Sequence, residues 1–509
     1  MRCPTTLPWL LGLLLGAVPV LSGATLPARP NVLMIVIDDV AANLNSVDGE
    51  GDVLRTPALE RLAARGTWFS RAYNDAPACA PSRTALLTGV HATRSGVYYN
   101  TQAYRRSATW IAGVQSLPAA FLRAGYLTAG YGKISHNSYL EDDRGDYTPG
   151  YYKLYGRKPD ITHGDLDLLQ HAIPGSVREI PGNSSRNWTW GVLPDEWDRD
   201  DPRRLQQDTE QANRTIALLE QPQDRPFFVA CGFWRPHVRW TVPRRYYERF
   251  PLESIRLPAG YQAGDLEDVP KPGRWAATQA GHHADVVAGG RWRESIQGYL
   301  ASMAYIDEQI GRVLDALERG PHRDTTLVVF LSDNGMHLGE KEHWLKYALW
   351  EQTCRVFLAI AGPGLPVQRS ATPVSLVDVY PTLLRLCSLP APAHPLDGVD
   401  LSALLAGRAA ERGRPVLSTW GQGNHAIRDA RYRYIRYGNG DEELYDHAAD
   451  PREWRNLAAD PEFAATRLRL ARWLPAVDAP GVREEKFEDL SRWRDEAFLE
   501  HGPAGNRPP

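Results

Sequence analysis

Cysteine is scarce in this chain. There are five among 509 residues, at Cys3, Cys79, Cys231, Cys354 and Cys387. Their wide spacing is neither a disulfide framework nor the paired ligands of a zinc site. Neither sign of charge is in excess. The 58 lysines and arginines against 61 aspartates and glutamates leave a net charge of −3, which excludes the basic footprint of a nucleic-acid-binding protein. An anionic ligand must therefore be met by a local cluster of basic groups, not by a global field. Only the N-terminus has an extended apolar run, from Leu7 to Leu21, after Arg2 and before Ser22, Gly23 and Ala24. It is short of the ~20 residues that span a bilayer and reads as an export signal over residues 1–24. Stable membrane insertion is not expected. Cys3 leaves with that signal, and Cys231, Cys354 and Cys387 lie in apolar stretches that suit buried thiols. Cys79 stands apart.

The length exceeds one average domain, so a large core with a smaller appendage is expected. Asn31–Ile37 (NVLMIVI) is a continuous apolar run ending at Asp38-Asp39, which predicts a central parallel strand with two carboxylates at its C-terminal end. Thr56 and Pro57 open a helix that Gly66 is expected to stop. Further strands are predicted at Phe227–Phe233, Thr326–Leu331 and Phe357–Ala361, with a long amphipathic helix over Arg293–Arg319. This alternation predicts an α/β fold, a large mixed and mostly parallel sheet between helices. The active site should lie at the carboxyl ends of its strands. Residues 140–205 and 258–292 read as surface insertions, candidates for the walls of a cleft. After about residue 412 short alternating strands at His425–Arg428, Tyr432–Tyr437 and Glu443–Asp446, then a helix from Pro461 to Leu474, predict a small antiparallel sheet with a helix. The expected division is a catalytic domain over 25–411 and a C-terminal subdomain over 412–509 with a disordered Pro-rich tail.

Asp38, Asp39, Asp333 and Asn334 form an oxygen-only set on two strand ends, suited to Ca²⁺ or Mg²⁺ and not to zinc. The segment Cys79-Ala80-Pro81-Ser82-Arg83, followed by Leu87-Thr88-Gly89, resembles the signature of the sulfatase family in every defining position. Gly125-Tyr126-Leu127-Thr128 with Gly132-Lys133 resembles that family's second signature. The resemblance runs from Asn31 to about Leu457. Lys133-x-x-His136, Arg235-Pro236-His237, the segment from Asp208 to Ala212, and Lys346 after Gly339-Glu340 make it most similar to the iduronate-2-sulfatase branch and its bacterial relatives. One departure is Phe357, where such relatives commonly carry proline.

The resemblance implies an alkaline-phosphatase-like core. It also implies that a maturation enzyme oxidises Cys79 to Cα-formylglycine (3-oxoalanine). The hydrated aldehyde carries two hydroxyls, one to attack sulfur and one to drive sulfate out again, which a thiol or serine lacks. Asp38, Asp39, Asp333, Asn334 and residue 79 would hold one Ca²⁺. Arg83 would orient the nucleophile, Lys133 and Lys346 would bind sulfate oxygens, His136 would contact the formylglycine hydroxyl, and His237 would protonate the leaving alcohol, a task suited to a group titrating near neutrality. His337 and His343 are open between cleft lining and structural use. The implied substrate is a sulfated carbohydrate such as a glycosaminoglycan, and the implied location is periplasmic or extracellular in a bacterium, lysosomal in a eukaryote. Three alternatives stay open: an arylsulfatase, a phosphonate or phosphate ester hydrolase of the same superfamily, and a non-catalytic sulfated-glycan binder in which Cys79 is unmodified.

Overall fold

The computed structural model describes residues 26–482, apart from 50–52, 107–109, 137–142, 155–176, 180–188, 194 and 196–205. The expected export signal over residues 1–24, the Pro-rich tail and most of the 140–205 insertion lie outside the described residues. Among the described residues no helix is long and apolar enough to cross a membrane.

Eight strands make the main sheet: β1 (Asn31–Ile37), β2 (Gly66–Phe69), β3 (Leu127–Gly132), β4 (Tyr152–Leu154), β5 (Phe227–Gly232), β6 (Thr326–Ser332), β7 (Leu358–Ala361) and β8 (Gln368–Ser370). Their spatial order is β8-β2-β7-β6-β1-β5-β3-β4. Only β7 runs against its neighbours, antiparallel to both β6 and β2. The sheet is therefore mixed and mostly parallel, as the strand–helix alternation predicts. Every residue of β1 is buried, because both faces of the sheet are covered. Leu33, Ile35 and Ile37 pack into one core with Tyr299, Ile306 and Ile310 of the long helix Trp292–Arg319. Val32, Met34 and Val36 pack into the other with Phe121, Tyr380 and Leu383. A strand that is apolar on both faces demands this two-layer cover.

The helix opening at Pro57 ends at Ala63, not at Gly66. Gly66 instead begins β2, where a Cβ would sit 2.4 Å from the carbonyl oxygen of Ile360 on β7. That glycine answers a close strand approach, not a helix stop. Phe357 precedes β7 and donates its N–H to Ser332 Oγ at 2.9 Å, a bond that proline cannot make.

The 258–292 segment is not simply a surface loop. It carries helices over Lys271–Thr278 and His282–Ala288 and buries Leu266, Val269 and Ala277 against Trp350 and the C-terminal sheet. That sheet has four antiparallel strands, the unforeseen Val416–Thr419 and then His425–Arg428, Tyr432–Arg436 and Glu442–Asp446, followed by a helix over Ala464–Ala471. It docks through buried charge as well as apolar surface. Glu351 accepts from Arg433 at 2.5 Å, and Arg433 also pairs with Glu453 at 2.7 Å. His447 joins Glu351 and Glu453 closely enough to suggest metal ligands, but Arg433 pairs with both carboxylates and Arg428 with Glu351, and the cluster reads as an ion-pair network.

Candidate active site

Adjacent parallel strands β6, β1, β5 and β3 end level with one another. Ile37 pairs with Ser332, Val36 with Gly232, and Gly232 with Gly132. The residues that follow these ends are Asp333-Asn334, Asp38-Asp39, the turn to His237, and Lys133 through His136. Sequence positions more than 290 apart thus meet in one row. Gly132 is left-handed (φ 84°), and a Cβ there would lie 2.0 Å from the Gly232 carbonyl oxygen. Only glycine lets the chain turn there to deliver Lys133.

Cys79 is the first residue of a ten-residue helix, Cys79–Thr88. Pro81 falls in the first turn, where its missing N–H costs nothing. Asn100 Oδ1 accepts from the N–H of Ala80 at 2.9 Å and serves as the cap that Ala78 cannot provide. Residues 79, 82 and 83 share one helix face. From that face Ser82 Oγ donates to the Asp333 carbonyl at 2.6 Å, and Arg83 Nε donates to Asp333 Oδ2 at 2.7 Å. Arg83 also donates to the carbonyls of Lys133 and Ile134. The Cys-x-x-Ser-Arg spacing therefore clamps the nucleophile-bearing helix to the end of β6 and to the turn after β3.

All the predicted residues converge. Cys79 Sγ lies 3.2 Å from Asp38 Oδ1, and Lys346 Nζ donates to Sγ at 2.7 Å and to Asp39 Oδ1 at 2.5 Å. Lys133 Nζ donates to Asp38 Oδ2 and sits 4.2 Å from the Trp234 ring centre. His237 Nε2 is 3.5 Å from Asp39 Oδ2. His136 is partly buried at the edge, its Nδ1 without a hydrogen bond. Asp38, Asp39, Cys79, Arg83, Lys133, Asp333, Asn334 and Lys346 are all buried.

The acidic set fits a hard dication. Carboxylate oxygens of Asp38, Asp39 and Asp333 lie within 4.8 Å of one another. Asp39 Oδ2 and Asn334 Oδ1 are buried without a hydrogen-bond partner, although buried oxygens of this kind are nearly always satisfied. Asn334 turns its amide nitrogen to Asp39 Oδ1 at 2.7 Å, which leaves its oxygen free. Asp39 itself is left-handed (φ 56°), a strain typical of functional sites.

The charges set the protonation states. Burial alone would raise Asp38, but Lys133, His237, Arg83 and Lys346 outweigh it and hold the carboxyl well below its usual range. Burial, reinforced by Asp38, pushes the Cys79 thiol well up, so unmodified Cys79 is a thiol and a poor nucleophile. Burial would lower Lys346, but Asp39 and Cys79 keep it a firm ammonium. Burial and the two lysines hold His136 well below neutrality. Burial also lowers His237 to about 4, against the pull of Asp39. This environment holds His237 below the near-neutral range that proton donation to the leaving alcohol would suit. Its Nδ1 lies 2.6 Å from the Val238 carbonyl, which assigns the proton to Nδ1 and leaves Nε2 an acceptor. Histidine-selective NMR titration should place the His237 midpoint near 4; a midpoint near 6.5 would contradict this environment.

The segment from Asp208 carries a family resemblance, but nothing local shows what Asp208 holds. Asp208 is buried and accepts from the N–H groups of Trp234 at 2.6 Å and Arg235 at 3.1 Å, fixing the turn that presents His237. Asp208→Asn puts an amide group where two donors converge. It should cost about 1–3 kcal/mol locally and lower kcat about tenfold with the fold intact by circular dichroism. His343 settles as structural. Its nitrogens face the carbonyls of Ala277 at 2.9 Å and Lys346 at 2.7 Å. It thus ties the 258–292 segment to a loop in which Lys341, Glu342, Leu345 and Tyr347 all have positive φ. His337 is buried against His343 and Trp350, behind that loop and not in the cleft.

The sulfatase family profile matches residues 30–389. This chain belongs to the sulfatase family. A second profile, described as the C-terminal part of N-sulphoglucosamine sulphohydrolase, matches residues 339–479. Among characterised proteins, a sulfatase of Formosa agariphila is 33% identical over 90% of this chain and 89% of its own length. A choline-sulfatase of Rhizobium meliloti is 30% identical over 91% and 90%. Human iduronate 2-sulfatase is 28% identical over 75% and 74%. Among solved structures, the phosphonate monoester hydrolase of Agrobacterium radiobacter superposes with a TM-score of 0.68 at 24% identity, covering 87% of this chain and 94% of its own. A 2-O GAG sulfatase superposes with a TM-score of 0.64 at 22% identity, covering 87% and 90%. The protein is a sulfuric ester hydrolase on an alkaline-phosphatase-like fold.

Proposed function

We propose that this sulfatase removes O-sulfate from a carbohydrate, with residue 79 as the nucleophile after oxidation to formylglycine by a maturation enzyme. The observation that carries the reading is the convergence of Cys79 with three carboxylates and three fixed cations at the strand ends. Arg83, Lys133 and Lys346 balance Asp38, Asp39 and Asp333 charge for charge. A bound dication would leave the pocket positive, which suits a sulfate ester monoanion. The high-lying thiol of Cys79 also argues that cysteine is a precursor and not the working group.

Asp38, Asp39, Asp333, Asn334 and residue 79 would hold one Ca²⁺, which would polarise the sulfate and draw off developing charge. Lys133 and Lys346 hold their ammonium groups on Asp38 and on Asp39 and Cys79, beside the nucleophile, and would bind sulfate oxygens there. Arg83 holds the nucleophile's helix in place. Lys346, a firm ammonium, would be the protonated group beside the leaving alcohol. His237, neutral through its Nδ1–H, accepts at Nε2 and would donate only once a proton reaches that atom. His136 stands at the edge as a neutral acceptor for the nucleophile's hydroxyl. Export to the periplasm, the exterior or a lysosome is part of the same reading.

The test is a substrate panel of sulfated disaccharides from heparan and dermatan sulfate, including a 2-O-sulfated iduronate end, with choline sulfate, an aryl sulfate, and phosphate and phosphonate esters as comparators. Fastest turnover is expected on a sulfated sugar. Turnover of choline sulfate alone would shift the substrate class, and turnover of phosphorus esters alone would overturn the reading.

A further inference from the structure

The geometry points to a second, non-catalytic binding site on this protein, a groove that holds a sulfated oligosaccharide away from the nucleophile. It rests on the carbohydrate reading above. A cavity of about 260 Å³ opens between the segment following the Cys79 helix, the start of the C-terminal sheet and residues 473–477. His91, Arg94, Arg412, Arg414, Trp473 and Val477 line it, and no acidic residue is among the described lining.

Two of the carboxylates that anchor these basic groups lie behind the wall, and the third, Asp397, is 15% exposed. Asp75 holds His91. Asp378 takes Arg412 in two hydrogen bonds of 2.6 and 2.7 Å. Asp397 takes Arg94 at 2.5 Å. Asp75 and Asp378 are at most 1% exposed, so a ligand meets the basic side chains and not these two carboxylates. Arg414 is exposed and donates to the backbone carbonyl of Asp397, with Asp378 and Asp397 acting on it through space. Trp473 is 45% and Val477 57% exposed.

A planar guanidinium offers a fork to sulfate oxygens, and an exposed indole offers a flat apolar face to a sugar ring. Free sulfate would use only the first, and a neutral sugar only the second. A sulfated saccharide uses both. The Cys79 helix has ten residues, or ~15 Å. Cys79 starts it, and His91 and Arg94 lie just past its other end. An occupant there cannot touch the reacting centre. Its effect is to keep the enzyme on a polymer and raise the local concentration of cleavable ends.

The experiment uses Cys79→Ala protein, so that the probe is not consumed. Calorimetry is run with a size-defined sulfated oligosaccharide, the same saccharide desulfated, and sodium sulfate. Two binding events are expected with the sulfated probe. The pair Arg414→Gln and Trp473→Ala should remove one of them or weaken it at least about tenfold, as loss of a charge-assisted contact implies. Desulfated saccharide and sulfate should each bind at least as weakly as that. In protein with Cys79 retained, the same pair should leave kcat/KM on a small sulfate ester unchanged and raise KM on a polymer. Saccharide binding indifferent to the pair, no saccharide binding, or sulfate binding as tightly as the saccharide would each overturn the site. Failure of the parent protein to hydrolyse any small sulfate ester would instead overturn the functional reading, so the two failures are separable.

Discussion

Cys79→Ala is expected to lower kcat on a small sulfate ester by at least about 10⁴-fold, the scale seen when a covalent nucleophile is removed, while the protein still folds. The thiol is fully buried, and its polar neighbours are Asp38 and Lys346. Alanine removes one sulfur and leaves the helix intact, because the anchoring contacts come from Ser82 and Arg83. Lys346 keeps Asp39 as its partner at 2.5 Å, so no buried charge is orphaned. Steady-state rates beside thermal melting separate the two effects. Peptide mass spectrometry across residues 79–83 of the active protein should show an aldehyde side chain in place of the thiomethyl group. An unmodified thiol in protein of full activity would refute the nucleophile, and so would full activity in the alanine variant.

The features legible in the sequence are those with a short physical period. The six-residue apolar run Val32–Ile37 of β1 is short and rich in β-branched residues, as a doubly covered strand requires, and it ends in the carboxylates the site needs. The offsets between Cys79, Ser82 and Arg83 put three groups on one helix face whatever the rest of the chain does. Positions created by distant packing were not legible. Asn100 caps the helix of Cys79 from twenty residues away, with no local pattern to announce it. Asp208 has a partner turn 26 residues on. Lys346 was assigned by resemblance, but nothing local shows that its loop holds four left-handed residues, tied down by His343 and by Arg433 of the C-terminal sheet. A glycine after a helix and a glycine beneath a neighbouring strand look the same in one dimension, and Gly66 is the second kind. The burial that lowers His237 cannot be read from its neighbours in sequence.

Arg83→Met should be the most damaging single change to the fold near the site, costing about 3–5 kcal/mol, as removal of one partner from a buried ion pair does. The side chain is 0% exposed. It donates to Asp333 and to the carbonyls of Lys133 and Ile134, and its other terminal nitrogen lies 3.9 Å from Asp38. Methionine fills the volume and satisfies none of these groups. Asp333, already pushed upward by burial, would take up a proton, and the ends of β3 and β6 would lose the clamp between them. Arg83→Lys should not restore the protein, since a point charge cannot reproduce a planar fork that reaches three acceptors at once. The expected result is a lower apparent melting temperature for both variants and activity below detection, against a normal melting temperature for Cys79→Ala. If Arg83→Met melts like the parent, the guanidinium is not the clamp the geometry describes. If Arg83→Lys recovers activity, charge alone suffices, and the Cys-x-x-Ser-Arg spacing has another cause.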